Sequence, residues 1–232
     1  MGDSLVAVIG AFCLVFAALV ALLAIFSSRR RRRDRQAMQQ WADRHGWTFR
    51  PHPRVDWGRL MPGGNRHGVS HAFSSVLAGR RVNVAEYSVT DGSDGTTTNT
   101  HYYVITVALL DQPLPSTQVE PRGRASRLKN KLLGPGETAT GNPDFDRQFR
   151  IGTTEPAALR QWFPPALIVA HLTGQVPSSW RVHGAELLCQ RPGRLHTEEV
   201  PGHAAAVLPL ADLLDGRSER AGFGIRGRDP ER

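Results

Sequence analysis

Cysteine is scarce in this chain of 232 residues. Cys13 lies in an apolar run and Cys189 far downstream, so neither a disulfide framework nor a Cys-x-x-Cys motif is available, and such usage fits a reducing compartment. Phosphate-binding signatures are missing as well. Gly134 to Gly141 (GPGETATG) lacks the Gly-Lys-Ser/Thr ending that reaches phosphate and magnesium. Gly222, Gly224 and Gly227 satisfy G-x-G-x-x-G in form, but no strand leads into them and no helix pattern follows, so no helix start is present to receive a pyrophosphate. Of nine histidines, His67 and His71 form the one i,i+4 pair, and it sits beside a strand pattern without the glutamate of a zinc-protease helix. No metal site or cofactor follows from any of these.

Lysine is rarer still than an average composition would give: two lysines stand against 27 arginines. The formal charge of +8 is concentrated in two places. Residues 27 to 35 carry six arginines and one aspartate, and residues 122 to 131 carry three arginines and two lysines without an acid. Each patch contributes +5, which leaves −2 for everything else, so the body of the chain is near neutral. The second patch (RGRASRLKNK) has no interleaved aromatic residues for base stacking, which disfavours nucleic acid.

What the sequence does contain is one long apolar run. Leu5 to Phe26 holds 22 residues without a charged, amide or hydroxyl side chain. As a helix it would extend roughly 33 Å, enough for a hydrocarbon core of about 30 Å. The start Met1-Gly2-Asp3-Ser4 has an acid and no base, and the positive charge follows the run, which is the wrong polarity for a secretory leader. The reading is therefore a transmembrane helix over 5–26 with Arg29, Arg30, Arg31, Arg32, Arg33 and Arg35 holding the downstream chain on the cytoplasmic side and the N-terminus outside. Those six arginines, with Arg122, Arg124, Arg127, Lys129 and Lys131, are the expected contacts to anionic lipid.

Downstream, residues 27–46 form a polybasic segment and a short helix in which Ala37, Met38, Trp41 and Ala42 share a stripe, with Gly46 as the stop. Trp47 to Arg50 reads as a brief strand. Val69 to Leu77 and Arg81 to Val89, separated by Ala78-Gly79-Arg80, read as a hairpin. Thr90 to Thr100 is too polar to bury and reads as a loop. His101 to Leu109, apolar on both faces, is the expected central strand, ended by Pro113 and Pro115. Asp144 to Ile151 reads as a strand, which would put the carboxylates of Asp144 and Asp146 on one face; capping and pairing with Arg147 is the favoured explanation of that spacing, over acid/base work. Helices are expected from Pro156 and Pro165, a hairpin over Trp180 to Gln190 turning at Gly184, and a final helix over Ala204 to Leu214 interrupted by Pro209.

Strands followed by helices and further strands indicate an α+β fold with a mainly antiparallel sheet: a cytoplasmic domain over 47–191 and a C-terminal helix with a disordered tail over 192–232. The segment WADRHGW (Trp41 to Trp47), the Leu114-Pro115 step after a long apolar strand and PDFDRQFRI (Pro143 to Ile151) accompany the apolar run and its basic flank. With these the chain, over residues 5 to 190, resembles uncharacterised actinobacterial single-pass membrane proteins carrying a domain of unknown function. That resemblance implies a topology and no activity. The function expected from the residues is a membrane-anchored interaction module that contacts anionic lipid or another envelope protein through its basic patches. The alternative is a membrane-tethered enzyme built on scattered polar groups such as Asp144, Asp146 and His101.

Overall fold

The computed structural model describes residues 2–61, 67–93, 97–123 and 137–217, and the side chains of its first helix from Phe16 onward except Ala17, Ala24 and Arg31. The chain divides into two compact units, Met1–Gly46 and Trp47–Arg232.

The first unit is helix α1, Gly2–His45. Alanine, leucine, glutamine and arginine, all strong helix formers, dominate its sequence. Trp41 stacks on His45 one turn later at 4.5 Å, Gln39 donates to Asp43, and Gly46, at φ +72, ends the helix. The expected break between an apolar span and a separate basic helix does not occur. Among the described residues no helix is long and apolar enough to cross a membrane. This overturns the spanning segment at 5–26, and with it the single-pass placement, the outside N-terminus, the integral membrane assignment and the cytoplasmic placement argued from that anchor. The physical reason lies in how the helix is composed. The apolar run does not end as an element of its own: the same helix continues through Ser27, Ser28 and the arginines to His45, so taken as a whole it is not an apolar element.

The second unit is built on a seven-stranded antiparallel sheet: β1 (Thr48–Pro51), β2 (Val69–Leu77), β3 (Arg80–Ser93), β4 (Thr97–Pro121), β5 (Glu137–Thr138), β6 (Phe149–Thr153) and β7 (Trp180–Pro192). The α+β architecture with an antiparallel sheet is as the sequence indicates. Strand β4 is its axis. It pairs with β3 from Ala108 back to Thr97, with β7 on its other edge, and with β6 over Thr117 to Pro121. Pro113 and Pro115 do not end it, because they fall where the β4–β7 register shifts and no ladder amide is required. Likewise β7 runs through Gly184 instead of turning there, and the polar Thr90 to Thr100 stretch is a two-stranded ribbon in which Val89 to Ser93 pair with Thr97 to His101.

On one sheet face Trp57, Met61, Val69, Tyr87, Ile105, Val107 and Leu188 form a core. The alternate residues, among them Val84, Val104 and Ala108, face helix α5 (Val200–Leu214), which packs across β3 and β4. Helix α5 buries Val200, Ala204, Val207, Leu210, Ala211 and Leu214. That apolar stripe keeps the helix continuous through Pro209, which removes one i→i−4 bond. Three short helices, α2 (Pro143–Gln148), α3 (Leu159–Trp162) and α4 (Pro165–Leu172), cover the remaining edge.

The end of α5 is fixed by one buried cation. Arg80, at the start of β3 and 2% exposed, donates through Nη1 to the Leu109 carbonyl at 2.6 Å and meets Asp215 at 2.6 Å and Asp212 at 3.1 Å. Asp215 in turn accepts from the Asp111 amide at 3.1 Å. The β3–β4 ladder ends at Val82–Ala108, so these side chains satisfy backbone groups of β4 that have lost their strand partner. Removing Arg80 would leave the Asp215 carboxylate buried and uncompensated. Arg80→Leu should lower unfolding free energy by about 3 to 5 kcal/mol in urea titration; a loss below about 1 kcal/mol would mean the pair contributes little to α5 docking.

The β2–β3 hairpin has a two-residue turn, Ala78-Gly79, with φ of +50 and +73, the type I′ geometry that favours Asn-Gly. Ala78 is exposed and bears a methyl group in left-handed backbone. Ala78→Asn should therefore raise stability by about 0.5 to 1 kcal/mol, read as a higher urea midpoint at unchanged slope.

Candidate functional site

The residues singled out from sequence do not assemble into a catalytic centre. Asp144 and Asp146 stand on α2 instead of a strand, because Asn142 caps that helix by accepting from the Asp144 and Phe145 amides and Pro143 occupies its first turn. Asp146 is spent on the Thr140 and Gly141 amides and the Thr140 hydroxyl, and Asp144 faces Arg147 at 3.5 Å. His101 lies in the β3–β4 ribbon opposite Val89. His67 is exposed, whereas His71 is on β2 near Phe49 and Phe73, held below its usual titration range by burial, against the pull of Glu86 and with added repulsion from His52. No group of three metal-ligating side chains occurs among the described residues.

Of the basic residues, Arg29, Arg30, Arg32, Arg33 and Arg35 are exposed along α1. The side chain of Arg31 lies outside the described residues, as do Arg124, Arg127, Lys129 and Lys131 and the glycines at 222, 224 and 227. Arg122 is exposed, and its Nε donates to the Asp146 carbonyl at 2.7 Å.

What the fold does create is a cleft of about 450 Å³ between α5, the β4–β7 face and the 174–179 turn. Its position follows from local structure. Helix α4 stops at Gly174, at φ +70, whose amide returns to the His171 carbonyl while the Gln175 amide returns to Ala170. The chain from 174 to 179 then crosses toward β7 and stands away from α5. Strand alternation turns Val104, Thr106, Cys189 and Arg191 into the gap, and α5 contributes His203, Ala206, Val207 and Pro209. The volume lies within the range of roughly 300 to 1,000 Å³ typical of small-molecule sites.

The cleft is chemically quiet. Burial pushes the Cys189 thiol up to about 12, so it stays protonated and is neither a nucleophile nor a ready metal ligand at neutral pH. The Nε2 atom of His203 is buried without a hydrogen-bond partner among the described residues, since the Glu199 carboxylate one turn back stands at 3.5 Å. Sequence reading missed this site because its walls come from four segments between residues 104 and 209 that no spacing rule connects.

A second histidine is perturbed, but within the core. His171 of α4 is packed among Phe145, Phe149 and Trp180 and accepts from Trp180 Nε1 at 2.8 Å through Nε2, which places its proton on Nδ1. Burial lowers it from 6.5 to about 4. Between those values the unfolded chain binds the proton and the folded one does not. The contribution is therefore complete above about pH 6.5 and falls by up to roughly 3 kcal/mol as pH drops toward 4. The urea midpoint should decline between pH 7 and 4.5 in the parent chain, and His171→Gln should flatten that decline; identical slopes would exclude His171 as its source.

No family model matches the chain, and no curated protein matches it. Among solved structures it is similar to the crystal structure of the mycobacterial trehalose monomycolate transport factor A, TtfA. The match has 13% identity and a TM-score of 0.51, and covers 76% of this chain and 92% of that chain. At that identity the likeness establishes a shared fold.

Proposed function

We propose that this protein is an envelope-associated binding factor that holds an apolar ligand non-covalently in the cleft between α5 and the β4–β7 face. The observation that carries the reading is the cleft itself: about 450 Å³ of space, in which valines, prolines and a protonated thiol form apolar wall beside Thr106, Gln175, Ser178, Ser179 and Gln190. Among the described residues no nucleophile, base and orienting group converge there, so the geometry supports binding better than catalysis. The fold shared with a transport factor named for an envelope lipid supports the same direction. The exposed arginines of α1 give the chain a separate cationic surface, suited to an anionic lipid head group or the acidic face of another envelope protein.

The test is a titration with the neutral apolar dye N-phenyl-1-naphthylamine. Ala206 is exposed on the cleft wall, so Ala206→Trp fills the space without disturbing the buried stripe of α5. The parent chain should bind the dye saturably. The substitution should weaken binding at least tenfold, about 1.4 kcal/mol, with the thermal midpoint unchanged. Equal affinity in both proteins would place the dye elsewhere, for example on the exposed apolar side chains of α1, and would refute the cleft as the site.

A further inference from the structure

We infer that the ligand of this cleft is an anionic amphiphile, an alkyl chain ending in an oxyanion, with Arg191 engaging the charged end. The inference rests on the binding reading above and adds the chemical class of the ligand.

Two observations lead to it. First, the wall has one sign of charge. Among its described lining residues Arg191 is the one permanently charged side chain, and no aspartate or glutamate occurs. Second, Arg191 is unspent. It is exposed at the end of β7, and among the described residues its guanidinium has no hydrogen bond or ion pair. Its neighbours show the contrast: Arg181 donates to the Leu60 carbonyl and to Gln118, and Arg194 lies over the Tyr102 ring at 4.0 Å. A free guanidinium presents paired donors that match a carboxylate or phosphate.

The interior explains the other end of the ligand. Val104, Val176, Val207 and Cys189 offer surface to an alkyl chain. A cationic head would meet Arg191 with no acid to compensate.

The experiment uses the full chain and displaces the neutral dye with decanoate or decanol, both below their aggregation limits, at pH 7.5. Decanoate should bind at least tenfold tighter than decanol. Arg191→Gln should bring decanoate to within about twofold of decanol and leave decanol unchanged, because a rim arginine contributes to the anion and not to the chain. Equal affinity of the parent chain for acid and alcohol overturns the anion assignment while leaving the cleft reading intact. Failure of both to displace the dye removes the cleft reading. A preference for decanoate that survives Arg191→Gln, or that persists undiminished in Ala206→Trp, also overturns the assignment, since the anion would then be held elsewhere, as on the arginines of α1.

Discussion

The placement of α5 depends on Arg80. A lone guanidinium with 1% of its side chain exposed would be strongly destabilising, and it is tolerated because two carboxylates and a strand carbonyl converge on it. Asp212 and Asp215 both belong to the last turn of α5 and its exit, whereas Arg80 begins β3 and Leu109 lies on β4. One cation thus ties the end of a helix to two adjacent strands at the point where their ladder stops. Arg217 pairs with Asp111 just outside, adding an exposed contact to the same junction.

From that constraint the cleft follows. With the C-terminal end of α5 fixed over β3 and β4, its first turns lie above the β4–β7 pairing, and the 174–179 turn borders the gap that remains. The opposite face shows what the sheet does where no gap is left. There Arg181 reaches the Leu60 carbonyl and Gln118, Gln118 reaches Glu120, and Glu120 is held by Arg150, so the polar groups answer one another and the remaining space shrinks to about 30 Å³. Two faces of one sheet therefore differ in kind: one is closed by a satisfied polar chain, and the other is open, with Arg191 at its rim.

Much of the sheet was legible in the residues. The β2–β3 hairpin, the central strand at His101 to Leu109 and the helix from Pro165 come from local signals, namely a turn, an apolar run and a proline start, that tertiary packing reinforces. Errors arose where a local signal competed with a longer-range one. Pro113 and Pro115 look like terminators until β7 provides a bulged partner that does not need their amides. Asp144 to Ile151 suggests one strand, yet Asn142-Pro143 starts a helix that carries Phe145, the strand begins only at Phe149, and the two rings stack at 4.9 Å. The apolar run of α1 was read as an element of its own, although nothing in its propensities stops the helix before Gly46. The cleft was illegible for a different reason: its residues are unremarkable singly, and only strand register and the Arg80 anchor bring them to one place.

An apolar cleft left in such a rigid frame has an energetic consequence. Protein interiors usually close gaps of this size by rotamer changes, because empty apolar wall forfeits dispersion contacts and keeps water against hydrocarbon. Here closure is blocked from three sides. The β4–β7 ladder is continuous beneath the gap from Tyr103 to Leu109, the end of α5 is tied by Arg80, and the turn after α4 is fixed by its own Gly174 stop. Small side chains at Thr106, Cys189 and Ala206 cannot reach across. The surface that folding leaves uncovered is therefore available to be covered by something else, at about 25 cal/mol for each Å² of apolar wall. On the proposed reading, an occupant with an alkyl body gains from that wall, and one with an oxyanion end gains again from Arg191. The frame that prevents collapse is thus what keeps the cleft open.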